Sequence, residues 1–162
     1  MVYYHYYRSP TGLDDIMLES DGNTLTGVSF VKEKSNQESD LLIFAQASRW
    51  LNEYFDGRNP AFDIPYSLNG LTSFQRNVIE LLLKIPYGEC KSYSELKQMY
   101  LDRFHKDSMS DQAIGSAVGF NPIGIMIPCH RIIKKDGTIG GYAGGLDNKR
   151  YLLRLEGIKI KE

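Results

Sequence analysis

Ile127-Pro128-Cys129-His130-Arg131-Ile132-Ile133 is the stretch around which the rest of the chain arranges itself. A cysteine stands beside a histidine, behind a proline, with apolar residues on both sides. The apolar flanks predict a strand or tight loop held inside a core. His130 and Arg131 supply a base and a fixed positive charge next to the sulfur. Such neighbours favour thiolate over thiol, and the thiolate is the nucleophile. The plainer reading is a buried structural cysteine with a satisfied histidine, because free cysteine is among the most buried residue types. Cys90, in Gly88-Glu89-Cys90-Lys91, reads as a small filler. Two cysteines and three scattered histidines (His5, His105, His130) make neither a disulfide framework nor a zinc site.

Upstream of this stretch lies Ala113-Ile114-Gly115-Ser116-Ala117-Val118-Gly119-Phe120-Asn121-Pro122, and downstream lies Gly140-Gly141-Tyr142-Ala143-Gly144-Gly145-Leu146. Ser110 caps a predicted helix over 111–119. Its glycines are poor helix formers, so their repetition implies close approach by the protein's own core or by a partner. A shorter helix starting near Ser94 precedes it, which makes a helix-turn-helix candidate with a long turn. The intervening 101–109 reads as a polar loop. Thr72-Ser73-Phe74-Gln75 fits a capping box for a helix running to about Ile85. The glycine-rich segment brings backbone N–H groups near a ligand, and a last helix runs from about Leu146 to Glu156.

The N-terminal part has a different character. Residues 2–8, Ile16–Glu19 and 25–31 read as three strands, with Asp21-Gly22 a hairpin signal between the last two. Leu41, Phe44, Ala45, Ser48, Leu51, Asn52 and Phe55 follow the period of an amphipathic helix. Phe62-Asp63-Ile64 is a candidate short strand. The expected fold is therefore α+β, with an N-terminal α/β domain over 1–70 and a mainly helical C-terminal domain over 71–162. The 162 residues suit this organisation. The net charge of −1 hides an asymmetry. Residues 1–73 hold 5 Lys+Arg against 10 Asp+Glu, and residues 74–162 hold 14 against 10. The basic half is the half with the chemistry, as expected for a domain that meets a polyanion. No apolar run approaches membrane-spanning length and no signal peptide is evident, so no membrane association is expected. A reducing cytoplasm suits an unpaired nucleophilic cysteine.

Taken in order, the Pro-Cys-His-Arg core and its flanks resemble the O6-alkylguanine-DNA alkyltransferases, strongly over about residues 72–157. The resemblance implies a monomer that needs no cofactor or metal and acts on double-stranded DNA containing O6-alkylguanine. It implies that Cys129 takes the alkyl group, that His130 accepts the thiol proton, and that Glu156 orients the imidazole. Glu156 would otherwise pass for a surface residue. By the same resemblance Tyr93 donates to the leaving base and Tyr142 forms a pocket wall. Ala143 stands where serine is frequent and acts through its backbone N–H, with Gly144 beside it. Ile132 and the Cys129 carbonyl face the guanine amino edge. Asn121 ties the DNA-binding helix to the active-site loop. Gln112, Ala113, Gly115, Ser116 and Val118 are implied to meet DNA in the minor groove, with Arg131 joining the substrate-side set.

Two departures stand out. Gln112 replaces the usual arginine that holds the base stack open, and it lacks a guanidinium plane. Phe120 replaces a residue that is commonly basic. Two other functions compete. A Cys-His hydrolase lacks a separately spaced histidine here, and a non-catalytic damage-flagging module would have lost Cys129. A regulator with an added metal-binding domain is excluded by the cysteine count.

Overall fold

In the computed structural model, which describes residues 1–161, the Asp21-Gly22 turn joins two strands as predicted. Asp21 Oδ1 accepts from the backbone N–H groups of Asn23 and Thr24 at 2.9 and 2.8 Å. Gly22 supplies the positive φ of 111° that the turn requires. The strands are β1 (Tyr3–Tyr7), β2 (Asp15–Ser20) and β3 (Leu25–Val31), paired antiparallel in that order, with a bulge at Glu19/Ser20. Ile16, Leu18 and Ser20 alternate inward on the middle strand. Helix α1 (Leu42–Phe55) buries Ile43, Phe44, Ala47, Leu51 and Tyr54. Tyr54, which with Trp50 widens the expected apolar face, is buried, but the face is rotated from the predicted one, since Ile43 and Ala47 turn inward and Ala45 and Asn52 are exposed. Trp50 and Tyr54 stack at 5.5 Å, and Phe44 stacks on His5 at 5.6 Å.

The outer edge of β3 is covered by two separate segments. Leu25 donates to the Pro65 carbonyl at 2.9 Å and accepts from Ser67 N–H at 2.8 Å. Residues 62–64 form no strand. The pairing falls instead at Tyr66, one residue past Pro65, which has no N–H to contribute. Farther along, Val28 donates to Pro122 and accepts from Gly124, both at 2.9 Å. A Cβ on Gly124 would sit 2.9 Å from the Val28 carbonyl oxygen, so glycine is needed for this approach. Met1–Asn69 and Pro122–Gly124 make up one compact unit.

The second unit is Gly70–Asn121 with the chain from Ile125 onward. Its helices begin where side chains satisfy their free N–H groups. Thr72 and Gln75 form the predicted capping box of α2 (Ser73–Leu82), Ser92 and Glu95 form another on α3 (Tyr93–Phe104), and Ser110 caps α4 (Asp111–Gly119). Helix α2 stops three residues short of Ile85. Pro86 disfavours helical backbone in the residue before it, and the chain tightens into short turns there. Helix α3 runs longer than the sequence suggested and absorbs Leu101–Phe104. Tyr100 packs on Phe74 and Phe104 at 5.1 and 4.8 Å, and Arg103 pairs with Glu80 at 3.2 Å. His105 ends it in the left-handed region at φ 54°. The predicted long loop therefore shrinks to the few residues before Ser110. Helices α2, α3 and α4 bury Val78, Leu82, Leu96, Tyr100, Ile114 and Ala117. Two short parallel strands, β4 (Lys91–Ser92) and β5 (Ile132–Ile133), complete the unit with α5 (Leu146–Leu155). The fold is α+β. No helix among the described residues is long and apolar enough to cross a membrane.

Candidate active site

Cys129 opens a single 3-10 turn, Cys129–Arg131, held by Cys129 N–H to the Ile127 carbonyl (2.8 Å) and Arg131 N–H to the Pro128 carbonyl (3.0 Å). The turn lies between Pro128 and β5, inside the core as its apolar flanks predict; Ile127 and Ile132 are fully buried. Asn121, just beyond α4, donates from Nδ2 to the Ile127 carbonyl at 2.8 Å and to Cys129 Sγ at 3.2 Å. One amide thus fixes both the loop before the cysteine and the sulfur.

The sequence expectation of a favoured thiolate is not met in this resting structure. Burial raises the Cys129 thiol above its ordinary value, and the Asn121 hydrogen bond and the Lys149 charge offset only part of that effect. Arg131 does not face the sulfur. Its Nε donates to Glu156 Oε1 at 2.8 Å, Nη2 to Oε2 at 3.2 Å, and Nη1 to the Ile85 carbonyl at 2.7 Å. Glu156 also accepts Gly88 N–H at 3.0 Å and meets His130 Nε2 at 2.7 Å. Burial alone would raise the Glu156 carboxyl. The hydrogen bonds and charges of His130 and Arg131 overcome it and hold the group at about 2. The fully buried His130 is pushed down by burial, against the pull of Glu156. The pair therefore rests as carboxylate and neutral imidazole. With Nε2 engaged by a carboxylate, that nitrogen carries the proton and Nδ1 is the atom that takes one up.

Two family models cover nearly the whole chain: the 6-O-methylguanine DNA methyltransferase DNA binding domain over residues 73–158, and its ribonuclease-like domain over residues 2–68. The chain belongs to the 6-O-methylguanine DNA methyltransferase family. It is 39% identical to the methylated-DNA–protein-cysteine methyltransferase of Haemophilus influenzae, over 97% of this chain and 87% of that one. The protein of the same name from Methanosarcina acetivorans is 38% identical, over 96% and 99%. The crystal structure of the Mycobacterium tuberculosis O6-methylguanine methyltransferase matches with a TM-score of 0.80 at 37% identity, covering 96% of this chain and 93% of that one. The same protein solved in complex with DNA matches with 0.79. As a family member, the chain is a methylated-DNA–protein-cysteine methyltransferase, a DNA-binding enzyme of DNA repair.

The other residues singled out in the sequence divide between this centre and two separate places. Tyr93, the first residue of α3, and Tyr142 both have phenols raised first by burial and then by negative charge at Cys129, so both lie within electrostatic reach of the sulfur. Gly140 lies against the Tyr93 ring, 3.3 Å from a would-be Cβ. Ala143 is exposed and Gly144 half-buried on the glycine-rich segment, while the Ile132 side chain belongs to the core. On α4, Gln112 and Ser116 are exposed and Ala113 is half-buried. Gly115 and Gly119 have nothing within 4 Å of a would-be Cβ, so the core is not what their small size accommodates. Two assignments change. Val118 is 6% exposed and packs inward, and Arg131 is spent on Glu156.

Lys149 was missed. It is fully buried, and its Nζ donates to the Ile132 carbonyl at 2.6 Å and the Gly141 carbonyl at 2.8 Å, tying β5 to the glycine-rich segment. Burial lowers it to about 8, with a Cys129 negative charge acting in the opposite sense. The signal was present in the sequence. Lys149, Leu152, Leu153 and Glu156 repeat at helical spacing on one face of α5. Among the described residues, no group of three His, Cys, Asp or Glu side chains is gathered to hold a metal ion.

Proposed function

We propose that the chain repairs DNA by irreversible transfer of the alkyl group of O6-alkylguanine to Cys129, once per molecule. The observation that carries this reading is Asn121 on the Cys129 sulfur, together with His130, the next residue of the same short turn, whose buried ring meets Glu156 at the end of α5. Sγ attacks the alkyl carbon in line, forming the S–C bond as the C–O6 bond breaks. The thiol proton passes to His130 Nδ1, through a water where the adjacent side chains diverge. Glu156 stabilises the resulting imidazolium. The raised thiol makes this base necessary, because little thiolate stands ready at neutral pH. Guanine leaves with the bonding electron pair on its purine system. Tyr93 donates a hydrogen bond to the purine, and the backbone N–H of Ala143 serves O6. The product is a thioether, a poor leaving group, so no second turnover follows and no cofactor is required.

A base in a duplex hides its O6 from a buried sulfur. The nucleotide must be extruded, at a cost of a few kcal/mol. We assign DNA contact to α4 of the helix-turn-helix pair, through the minor groove, where base identity is poorly displayed. Exposed Gln112 and Ser116, with open space over Gly115 and Gly119, suit close approach. This face carries 62%-exposed Phe120 where a phosphate-binding cation is common. Gln112→Arg should raise transfer from duplex relative to transfer from free O6-benzylguanine. We divide the labour at about residue 70, with the chemistry and DNA contact downstream and the N-terminal unit giving structural support.

The test is intact mass after incubation with a duplex bearing one O6-methylguanine, followed by peptide mapping. The expected result is one added methyl group on the Cys129 peptide, saturating at one per protein. Binding without a mass change would leave damage flagging as the function.

A further inference from the structure

The chain does not stop at Glu156. Ile158 donates its N–H to the Leu153 carbonyl at 2.9 Å and is 8% exposed, in a cluster with Ile133 and Leu153. Ile139 and Ile160 pack on the same cluster. One residue later, Lys161 N–H donates to the Gly137 carbonyl at 2.9 Å, and Lys161 pairs with Thr138 as a one-residue parallel bridge. The Lys161 stem also lies over Gly137, 3.3–3.5 Å from where a Cβ would stand. Gly137 has φ 90°, a backbone conformation that other residues adopt only with strain.

The segment that this tail grips is the turn leading into the glycine-rich stretch. Gly137 N–H closes on the Lys134 carbonyl and Lys134 N–H on the Thr138 carbonyl, both at 3.0 Å. Two residues on, Gly140 rests on the Tyr93 ring, and the Gly141 carbonyl takes the Lys149 ammonium. Three anchors therefore hold 134–141: Tyr93 and Lys149 from the catalytic side, and the tail from the opposite end. Glycine-rich backbone has little stiffness of its own.

We propose that Ile158–Lys161 is a positioning element of the alkyl-transfer site, setting where Tyr142 and the Ala143 N–H stand relative to Cys129. It touches neither the sulfur nor the base; it acts through the 134–141 turn. The proposal rests on the reaction proposed above, in which that segment receives the alkylguanine. Misplacement of about 1 Å by a remote change costs up to about a hundredfold in rate.

Two variants test it. Lys161→Pro removes the N–H that Gly137 accepts, at an exposed position. Ile160→Ala trims the tail's packing on the Ile133, Leu153 and Ile158 cluster. Each is compared with the wild-type protein in two reactions, both read on the Cys129 peptide by mass so that the second free thiol, Cys90, does not count: alkylation by O6-benzylguanine, which needs the positioned segment, and alkylation by iodoacetamide, which reads thiol access and reactivity alone. The expected result is a loss of about tenfold or more with O6-benzylguanine in both variants, and iodoacetamide rates within about twofold of wild type. Equal loss in both reactions would mean general loosening and overturn the proposal, as would wild-type rates in both. If the wild-type protein reacts with iodoacetamide but not with O6-benzylguanine, it is the proposed alkyl transfer that fails.

Discussion

Helix α1 buries Ile43, Phe44, Ala47, Leu51 and Tyr54, whereas α5 buries Asn148 and Lys149 beside Leu152 and Leu153 and ends at the buried Glu156. Both are amphipathic and both repeat at helical spacing. The inner face of α1 is hydrophobic throughout, with the Tyr54 phenol its one polar group. That of α5 gives positions to groups that cost free energy to bury unless every partner is supplied. Here they are supplied: Asn148 Nδ2 donates to the Gly144 carbonyl at 2.7 Å, Lys149 to two carbonyls, and Glu156 accepts from Arg131, Gly88 and His130. That contrast fits the proposed division of labour, with chemistry beside α5 and support from α1.

The strongest way to break that contrast is Glu156→Ala. It strands the Arg131 guanidinium and the His130 ring in the core, and removing one partner of a buried ion pair costs about 3–5 kcal/mol. Urea unfolding should reveal this loss, and methyl transfer should disappear with it. The acid side carries the same signature. A carboxyl held at about 2 lies below its ordinary 4.5, so its stabilisation is present above about 4.5 and lost as pH falls toward 2. In α1 the matching change is Leu51→Ala, at a fully buried site, which should cost about 2–5 kcal/mol. The folded fraction of that variant should still transfer methyl at the wild-type rate; a slowed rate would dissolve the distinction between the two helices.

Lys149 sharpens it in the opposite sense. Its folded value of about 8 lies below the ordinary 10.5. Between those pH values the unfolded chain binds the extra proton, so this group's contribution to stability rises with pH across that window. Thermal melting of wild type and Lys149→Met from pH 7 to 10.5 should show the wild type gaining on the variant, while the variant loses methyl transfer throughout. The smallest effect is expected for Asn148→Ala, about 1 kcal/mol from the loss of its hydrogen bond to Gly144, read by the same urea titration.

The sequence carried the starts of helices and one turn well. Thr72 and Ser110 cap helices because a side-chain oxygen beside a helix start has few other uses, and Asp21-Gly22 makes a turn for equally local reasons; the Ser92 cap of α3 fell two residues before the expected start at Ser94. It carried the buried Cys129–His130 turn too, because a cysteine beside a histidine between apolar runs is distinctive at short range. What it did not carry depends on partners distant along the chain. Arg131 turns from the sulfur because Glu156 and the Ile85 carbonyl wait elsewhere. The raised Cys129 thiol follows from burial, which adjacency alone does not disclose. Helix α3 outran its expected end because Phe74 and Glu80, on another helix, hold its last turns.

The glycine at 124 has a consequence for how the protein is made. The β3 edge at Val28 is completed by Pro122 and Gly124, which leave the ribosome long after the strand itself. At roughly 5–20 residues per second, the nascent sheet waits for several seconds with those backbone groups unpaired. An open strand edge is a template for pairing with another chain. The bulge at Glu19/Ser20 between the neighbouring strands and the acidic excess of the first 73 residues oppose such pairing until residues 122–124 arrive.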